Sequence, residues 1–465
     1  MAFSLAGTGL ELPIPPRGLP RCRPRTQYAI PDISLSPFAY PDSVQFLYTL
    51  GNEYKTLKLG LDRIEALLAR LDHPHRATPF VHVAGTNGKG STCAMIERAL
   101  RTSGRRTGLF ISPHLVEPTE RIQIDGEPVT PADFASAFKE VHEAALAMIA
   151  DGVLDGHPTY FETITAMAYL LFRRHQVEIA VLETGMGGRL DATNVVDPLL
   201  SVLTPIDFDH EKFLGTTIPQ IAAEKAGILK PGRPAIVALQ RPEALAVIEQ
   251  RARETGSPLL HASSWRAEDL HQDAYGNRFT ATFRQHAIPV ELPLIGAHQV
   301  DNALTAVAAL VHLGLPAEII SSGLKATRWP GRLECVRRHP DIFLDGAHNP
   351  SGAAALARYI REFHTNRAGG GRVWMLFGAM NDKDLSVLAP LLFPLAHELV
   401  FTTPHQTRAF PAETIRDLTG ETRARILPAP AEAVDHILRE ARPEDALFIT
   451  GSLYLVGEVR PLLVP

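Results

Sequence analysis

A glycine-rich stretch between a strand-like run and a helix-like run places the strongest constraint on the fold. The stretch reads VHVAGTNGKGST, residues 81–92, and a helical run opens at Ser91. Glycines allow main-chain N–H groups to converge on phosphate oxygens, and a helix N-terminus adds the positive end of its dipole. A strand, a tight turn and a helix in this order therefore predict a phosphate-binding loop in an α/β domain.

The loop departs from the Walker A pattern G-x-x-x-x-G-K-[ST]. When Gly88 and Lys89 are aligned with its GK pair, Val83 stands at the first glycine and Gly90 at the hydroxyl residue. Lys89 would neutralise phosphate charge, and a hydroxyl at position 91 or 92 would ligate Mg²⁺. A turn capped by Ser91 is the structural alternative. The residues predicted to bind ATP here are Gly85, Thr86, Asn87, Gly88, Lys89, Gly90, Ser91 and Thr92.

The rest of the chain alternates short β-rich runs with longer helical runs, the pattern of parallel strands joined by crossover helices. Several runs, such as IAVLETG and LLSVLTPID, are largely apolar, which is typical of strands buried on both faces. Gly323, Pro330 and Gly331 then punctuate a linker, and a second, shorter alternation follows.

These patterns predict an α/β fold of two domains. An N-terminal P-loop-type ATPase domain with a mainly parallel sheet is expected at residues 42–327, and a smaller Rossmann-like α/β domain at 328–465. Residues 1–41 contain eight prolines and no helical or strand periodicity, so they are predicted to form a disordered tail.

Composition argues against several classes of protein. The net charge of −5 at pH 7 lacks the basic excess typical of nucleic-acid binding. The cysteines, Cys22, Cys93 and Cys335, are far apart and show no C-x-x-C spacing, so a reducing cytoplasm fits better than a disulfide framework or a zinc site. No uninterrupted apolar run reaches the roughly 18 residues that span a bilayer. We therefore expect neither a nucleic acid nor a membrane as partner.

A series of segments carries a resemblance to a known family. GTNGKGS resembles the nucleotide loop of the Mur ligase superfamily, and the later segments resemble its folate branch, the dihydrofolate synthase and folylpolyglutamate synthase family. Together they are far more specific than any one of them. In family order they are SPHL (112–115), ERI (120–122), FE (161–162), LETGMGGRLDATN (182–194), DHEKFLGTT (209–217), EKAGI (224–228), GAHQVDNA (296–303), WPGRLE (329–334), DGAHNP (345–350) and GSLYLVGEV (451–459).

The resemblance implies a ligase reaction. ATP phosphorylates a carboxylate, and the amine of L-glutamate attacks the acyl phosphate to form an amide, with release of ADP and phosphate. It further implies a bifunctional, monomeric enzyme that takes dihydropteroate or a reduced folate as acceptor. The implied cofactors are ATP, two Mg²⁺ ions and, as in part of the family, a monovalent cation such as K⁺.

The resemblance also implies a metal site. Glu162 matches a magnesium ligand of the family and would act with His210 and the Ser91 hydroxyl, although an acid at a helix start also favours the helix dipole. His210 follows an apolar run, at the strand end where α/β sheets bind ligands. Lys225 matches a carbamylated lysine that would bind a second Mg²⁺, although a solvated helix lysine is the default. Catalytic roles are implied for Lys89, His210 and Lys225.

Further residues carry over to the nucleotide and the substrate. The matching positions for the nucleotide are Asn302, Arg332, Asp345 and His348, which come from both domains, so domain closure would assemble the site. A polar loop after the strand-like run TGLFI would help to place the pterin or its carboxylate through Ser112, His114 and Arg121. Contacts to the reacting groups are expected from the crowded segment that contains Glu183, Arg189 and Asp191.

Alternatives stay open at this point. A folylpolyglutamate synthase alone would carry the same motifs. A peptidoglycan Mur ligase shares the ATP site, but residues 1–84 are expected to be too short for its N-terminal nucleotide-sugar domain. A kinase or GTPase is disfavoured because no N-K-x-D motif occurs. A non-catalytic nucleotide-binding module predicts the loss of Ser91, Glu162, His210 or Lys225, and all four are present.

Overall fold

A computed structural model describes residues 39–50, 60–366 and 370–464. The predicted tail, residues 1–41, lies outside the described residues except for its last three positions. Of these, Tyr40 and Pro41 already belong to the first helix, where a proline in the first turn is well tolerated because its missing N–H would have no helical partner.

The α-helices and strands follow one another in the alternation that the sequence predicts. The helices are α1 (Tyr40–Thr49), α2 (Asp62–Arg70), α3 (Lys89–Thr102), α4 (Pro131–Ala150), α5 (Tyr160–Arg174), α6 (Glu211–Leu214), α7 (Ile218–Ala226), α8 (Pro242–Thr255), α9 (Ala297–His312), α10 (Ala317–Ala326), α11 (Pro350–Asn366), α12 (Leu385–Leu392), α13 (Ala412–Thr419), α14 (Pro430–Glu440) and α15 (Leu453–Leu463). The strands are β1 (Phe80–Ala84), β2 (Thr107–Phe110), β3 (Ile122–Ile124), β4 (Glu127–Pro128), β5 (Ile179–Glu183), β6 (Leu200–Leu203), β7 (Ala235–Val237), β8 (Leu259–His261), β9 (Arg266–Asp273), β10 (Gly276–Phe283), β11 (His286–Leu292), β12 (Glu334–Arg337), β13 (Asp341–Leu344), β14 (Val373–Phe377), β15 (Glu398–Phe401), β16 (Arg425–Ile426) and β17 (Ala446–Thr450).

Within the described residues the strands form three sheets. The first has eight strands in the order β4-β3-β2-β5-β1-β6-β7-β8, parallel from β2 to β8, with β3 and β4 antiparallel at one edge. The second is an antiparallel sheet of β9, β10 and β11. The third has six strands in the order β12-β13-β17-β14-β15-β16, parallel except for β12. The predicted α/β class is confirmed, with a large mainly parallel sheet followed by a smaller α/β unit.

Helices cover both faces of the large sheet. Successive side chains of its central strands point to opposite sides, so each strand contributes to both layers of packing. Val81 and Val83 of β1 pack into a cluster with α3, α9 and α10. Phe80 packs on the other face, in a cluster with α2, α4 and α5. Strand β5 repeats the alternation. The sheet is thus the middle of three layers, as in doubly wound α/β folds.

The smaller unit is built in the same way. Phe343 of β13 faces a cluster with α11 and α12, while Ile342 and Leu344 face a cluster with α14 and α15. The change from one sheet to the other falls between Ala326 and Glu334, and the domain boundary at 327/328 stays a prediction within that stretch. None of the helices in the described ranges is long and apolar enough to cross a membrane.

Helix α3, which follows the phosphate loop, is crossed closely by helix α10. Gly323 of α10 lies against α3, and a Cβ at this position would lie 2.4 Å from the Cα of Ala99. We expect Gly323→Ala to destabilise the fold by about 1–3 kcal/mol because the helix backbone has to move apart. Thermal unfolding followed by circular dichroism measures this as a lower Tm.

The neighbouring substitution Ser322→Ala provides the control, because Ser322 is exposed on the same helix. It should change stability by no more than about 0.5 kcal/mol. Equal Tm values for the two variants would contradict the described crossing.

Candidate active site

The carboxyl ends of the parallel strands of both large sheets face one cleft. The phosphate loop follows β1, Glu183 ends β5, His210 lies in the segment after β6, and Asp345 follows β13. This is the edge at which α/β sheets bind ligands. The predicted site residues among those that line the cleft are Thr86, Asn87, Gly88, Lys89, Gly90, Ser91, Ser112, Glu183, His210, Asn302, Arg332, Asp345 and His348.

The phosphate loop requires glycine at two positions. Gly85 has a φ of +154°, and a Cβ there would lie 1.9 Å from Oγ1 of Thr204. Gly88 has a φ of +81°, and its Cβ would lie 2.2 Å from Oδ1 of Asn302. Helix α3 begins directly afterwards at Lys89, so the N–H groups of its first turn have no partner within the helix. The turn is therefore built to present N–H groups to an anion.

Two predicted loop residues lie behind the lining rather than in it. Gly85 is buried against Thr204, and Thr92 is fully buried in α3. Among the described residues the Thr92 hydroxyl has no hydrogen-bond partner. Of the two hydroxyls that the sequence offers, Ser91 is the one that lines the cleft.

Helix α9 supports this hydroxyl through a residue that the sequence analysis missed. Gln299 donates from Nε2 to Oγ of Ser91 at 3.2 Å and accepts from Nδ2 of Asn302 at 3.0 Å. Both side chains are buried. The spacing of three residues between Gln299 and Asn302 places them on one helix face and is the signal that could have indicated the pair.

Glu162 lies at the start of α5, outside the residues that line the cleft, and its metal role stays a prediction. Its carboxylate accepts the N–H of Thr159 at 2.7 Å, which completes the N-terminal capping box of α5, and it accepts Nε of Arg63 with both oxygens at 3.0 and 2.9 Å. Glu162 does not line the cleft beside Ser91 and His210. The helix cap, which was the structural alternative, accounts for this acid.

Glu183 lines the cleft beside the phosphate loop, where Glu162 was expected. It is buried at the carboxyl end of β5, where Oε2 accepts the N–H of Ser112 at 3.2 Å and Oε1 lies 4.0 Å from Nζ of Lys89. Burial raises the pKa of the carboxyl, and Lys89 and the hydrogen bond from Ser112 oppose that shift. A cation in the cleft would favour its ionised form.

His210 and Asp209 form the third part of the cleft. His210 adopts a φ of +51° at the start of α6, and burial lowers the pKa of its imidazole. Burial alone would raise the pKa of Asp209, but His210, His348, Lys383 and Lys89 surround this carboxyl and together hold the pKa well below its usual range. Asp209 is therefore ionised at neutral pH.

Lys225 lies directly behind the phosphate loop. Its Nζ is buried and donates to the carbonyl oxygen of Gly85 at 2.7 Å. Burial lowers the pKa of the amine to about 7, with a further contribution from Lys89 and opposition from Asp209 and Asp191. Unlike a solvated lysine, it holds a large neutral fraction at neutral pH.

The smaller domain reaches across the cleft. Asn349 donates from Nδ2 to Oδ1 of Asn87 at 3.1 Å and to Oδ2 of Asp209 at 3.3 Å. The Nζ of Lys383 lies 3.7 Å from Oδ1 of Asp209. The sequence analysis missed both Asn349 and Lys383, which come from segments far from the phosphate loop and become its neighbours only through the fold.

Two residues of the smaller domain that were predicted to contact the nucleotide, Asp345 and His348, are held by main-chain groups of neighbouring residues. Asp345 accepts the N–H groups of Leu333 and Ala347 at 2.8 and 2.9 Å, and burial raises its pKa to about 6 although Arg332 opposes the shift. His348 lies with Nδ1 2.7 Å from the carbonyl oxygen of Gly346. These contacts fix both side chains at the cleft.

The predicted folate-side residues separate into two groups. Ser112 lines the cleft, whereas His114 accepts Nε of Arg121 at 2.8 Å and lies 3.4 Å from the Tyr48 hydroxyl. The Arg121 guanidinium also lies 5.1 Å from the ring centroid of Tyr160. His114 and Arg121 thus belong to an aromatic and polar cluster beside the cleft, formed with α1 and α5.

Arg189 and Asp191 do not line the cleft either. Asp191 is buried and accepts the N–H groups of Met186 and Thr193, so it shapes the glycine-rich loop after β5. Arg189 is exposed and pairs with Glu224 at 2.8 Å. Their substrate contacts stay predictions.

Comparisons with known proteins agree with this architecture. Residues 83–310 match the Mur ligase middle domain, and residues 331–453 match the glutamate ligase domain of Mur ligases. The dihydrofolate synthase/folylpolyglutamate synthase of Bacillus subtilis is 35% identical over 435 residues, which cover 91% of this chain and 99% of that protein. The enzyme of the same name from Escherichia coli is 33% identical, with coverages of 93% and 98%.

Solved structures give the same result. Mycobacterium tuberculosis folylpolyglutamate synthase complexed with ADP has a TM-score of 0.84 at 30% identity, and the coverages are 91% of this chain and 98% of that one. Escherichia coli FolC in complex with DHPP and ADP has a TM-score of 0.80 at 32% identity, with coverages of 92% and 97%.

These matches define a Mur-type ligase, a class that joins a carboxylate to an amine with the use of ATP. More particularly, the chain belongs to the dihydrofolate synthase/folylpolyglutamate synthase family. The predicted family is therefore confirmed.

The two glutamates can be separated by experiment. Glu183→Gln should lower ATP turnover by about 100-fold or more, because the cleft loses the buried charge beside Lys89. Glu162→Gln should keep most of kcat but lower stability by about 1–3 kcal/mol, because Arg63 loses its charged partner. ADP release and thermal unfolding of both variants measure the two effects. If Glu162→Gln abolished turnover and Glu183→Gln only lowered stability, Glu162 rather than Glu183 would be the functional carboxylate.

Proposed function

We propose that the protein is a bifunctional dihydrofolate synthase and folylpolyglutamate synthase. It joins L-glutamate to the carboxylate of dihydropteroate or of a reduced folate, by way of an acyl phosphate, and it releases ADP and phosphate. The observation that supports this proposal most directly is the shared cleft. Lys89, Glu183 and His210 of the larger domain face Asp345 and His348 of the smaller one.

Phosphate binding is the first task of these residues. The N–H groups at the start of α3 and the Lys89 ammonium offer positive charge to the β- and γ-phosphates. Phosphoryl transfer needs positioning and charge stabilisation more than it needs a protein nucleophile. This agrees with a cleft rich in charged groups.

The donor set fits Mg²⁺ bound together with a nucleotide. The described ranges contain no group of three or more His, Cys, Asp or Glu side chains that could hold a metal alone. Mg²⁺ is usually held by one or two carboxylates, with phosphates and water completing the shell. Ser91, Glu183 and His210 would contribute the protein ligands. Bound Mg²⁺ would neutralise phosphate charge during transfer.

We assign a carbamate to Lys225. The lone pair of the neutral amine attacks the carbon of CO₂, an N–C bond forms as one C=O π bond opens onto oxygen, and the nitrogen loses one proton to water, which leaves a carbamate anion. The buried position beside the carbonyl oxygen of Gly85 and the pKa of about 7 favour this chemistry. The anion would provide a ligand for a second Mg²⁺ next to the phosphate loop.

The two domains would protect the acyl phosphate from water. Asn349 and Lys383 bridge the cleft to Asn87 and Asp209. Ser112 and the His114–Arg121 pair lie on the side where the acceptor carboxylate would enter, and Arg189 and Asp191 lie on the loop beyond Glu183. A closed cleft of this kind favours attack by the glutamate amine over hydrolysis.

The substrates decide between the related functions. With ATP and L-glutamate present, ADP release is expected both with dihydropteroate and with tetrahydrofolate, and not with a UDP-muramoyl precursor. Lys89→Ala should abolish the release because phosphate charge is no longer neutralised, whereas Lys212→Ala, at an exposed position of α6, should not. Release with tetrahydrofolate alone would reduce the function to folylpolyglutamate synthase.

The carbamate has its own test. With ¹³C-labelled bicarbonate at pH 8, carbon-13 NMR of the wild type should show a carbamate resonance that Lys225→Ala lacks. Because only the neutral amine reacts, the resonance should be lost as the pH falls below about 7. Lys212→Ala serves as the matched control. A wild-type spectrum without the resonance at pH 8 would contradict the assignment.

A further inference from the structure

A second cavity lies on the side of α3 and shares no lining residue with the active-site cleft. It has a volume of about 420 Å³, within the range of small-molecule sites. We call it the arginine groove. Its polar and aromatic side chains are those of Glu97, Arg98, Arg101, Gln123, Glu127, Arg328 and Trp329.

Arg98 is half-buried in the wall of the groove. Within the described part of the chain its Nε has no hydrogen-bond partner, and because the surrounding protein covers this atom, an anion in the groove would bind the Nη groups of the guanidinium. A guanidinium prefers a carboxylate or a phosphate because both match its planar fork.

The other charges of the groove leave it open to an anion. Glu97 is already neutralised, because it accepts Nε of Arg101 at 3.0 Å and the hydroxyl of Thr107 at 2.6 Å. Arg328 donates from Nη1 to the carbonyl oxygens of Lys325 and Thr327, which fixes a second guanidinium at the exposed side of the groove.

Two further polar groups complete the lining. Gln123 donates from Nε2 to the carbonyl oxygen of Glu120 at 3.0 Å, so its side chain is anchored. Glu127 is exposed on β4, where water screens its charge. Arg98 and Arg328 therefore face the groove with more positive charge than the remaining acid offsets.

Trp329 connects the groove to the phosphate loop. Its indole forms a wall of the groove, and a Cβ on Gly90 would lie 2.7 Å from its Cζ2 atom. Arg98 belongs to the same helix that begins at Lys89. A ligand that moves Trp329 or α3 therefore acts directly on the loop that holds phosphate.

We propose that the arginine groove is a second anion-binding site. It takes a phosphate or carboxylate group between Arg98 and Arg328, and its occupancy changes the affinity of the phosphate loop for ATP through Trp329.

Binding is tested on the full chain with ADP saturating the cleft. Inorganic phosphate in one arm and glutarate in the other are titrated by calorimetry and by tryptophan fluorescence. Saturable binding in either arm is expected, and it should weaken about tenfold or more in Arg98→Gln, the effect of losing one hydrogen bond to a charged group. Arg328→Gln, at an exposed position, provides a second variant whose folding is not at risk.

The controls separate this site from the cleft and from general charge. Lys89→Ala should keep the binding, because its lysine belongs to the cleft. Arg105→Gln removes one positive charge at an exposed position outside the groove and should also keep it. Trp329→Phe should lose the fluorescence change but keep the heat of binding.

The link to ATP is tested by kinetics. The bound anion should shift the apparent KM for ATP in the wild type and in Arg105→Gln, but not in Arg98→Gln. No saturable binding in either arm, or binding unchanged by both Arg98→Gln and Arg328→Gln, would overturn the site. Binding without any shift in KM would overturn its action on the phosphate loop. None of these outcomes depends on which acceptor the ligase uses.

Discussion

The contact between the phosphate loop and helix α9 is the constraint on which the cleft depends. Asn302 approaches position 88 so closely that only a residue without a side chain fits, and the positive φ of Gly88 has the same requirement. Through Gln299 the same helix holds the hydroxyl of Ser91. The start of α3 and the hydroxyl of Ser91 are thus positioned by two side chains of α9, those of Asn302 and Gln299.

Electrostatic balance determines what the cleft can hold. Lys89, Lys383 and Arg332 would repel one another if Glu183, Asp209 and Asp345 did not lie close to them. Burial raises the pKa of Glu183 and of Asp345 and lowers the pKa of Lys225 and of Arg332, since it disfavours whichever form is charged. A bound polyphosphate brings negative charge, and its cations bring positive charge. The basic and acidic side chains of the cleft can offset both without a large movement of the protein.

Local patterns in the sequence predicted much of the fold and part of the site. The alternation of β-rich and helical runs was sufficient for the large parallel sheet. The glycine-rich turn between a strand and a helix was also predicted, but α3 begins at Lys89, two residues before the predicted Ser91. The antiparallel strands β9 to β11 were not predicted. Stretches such as RAEDLHQD are mostly exposed, so burial imposes little apolar alternation on them.

The choice between two acids shows why the rest of the site could not be read from sequence. Glu162 stands at the third position of a helix and Glu183 at the last position of a strand, and both are common places for a functional carboxylate. The order of the strands determines which acid lies beside the phosphate loop, because β5 is the neighbour of β1 and brings Glu183 there. Asn349 and Lys383 depend in the same way on how the smaller domain meets the larger one.

The bridges from the smaller domain to Asp209 and Asn87 have a consequence for the order of events in a catalytic cycle. They join the segments after β1 and β6 to the smaller domain, so the two domains can move apart only when these contacts separate. We expect exchange of ADP for ATP to need this separation. Partly exposed hydrogen bonds and ion pairs contribute only about 0.5–1.5 kcal/mol each, so the barrier they add is small. The enzyme can thus reopen after every glutamate it adds, and each round of chain extension can begin with a fresh nucleotide.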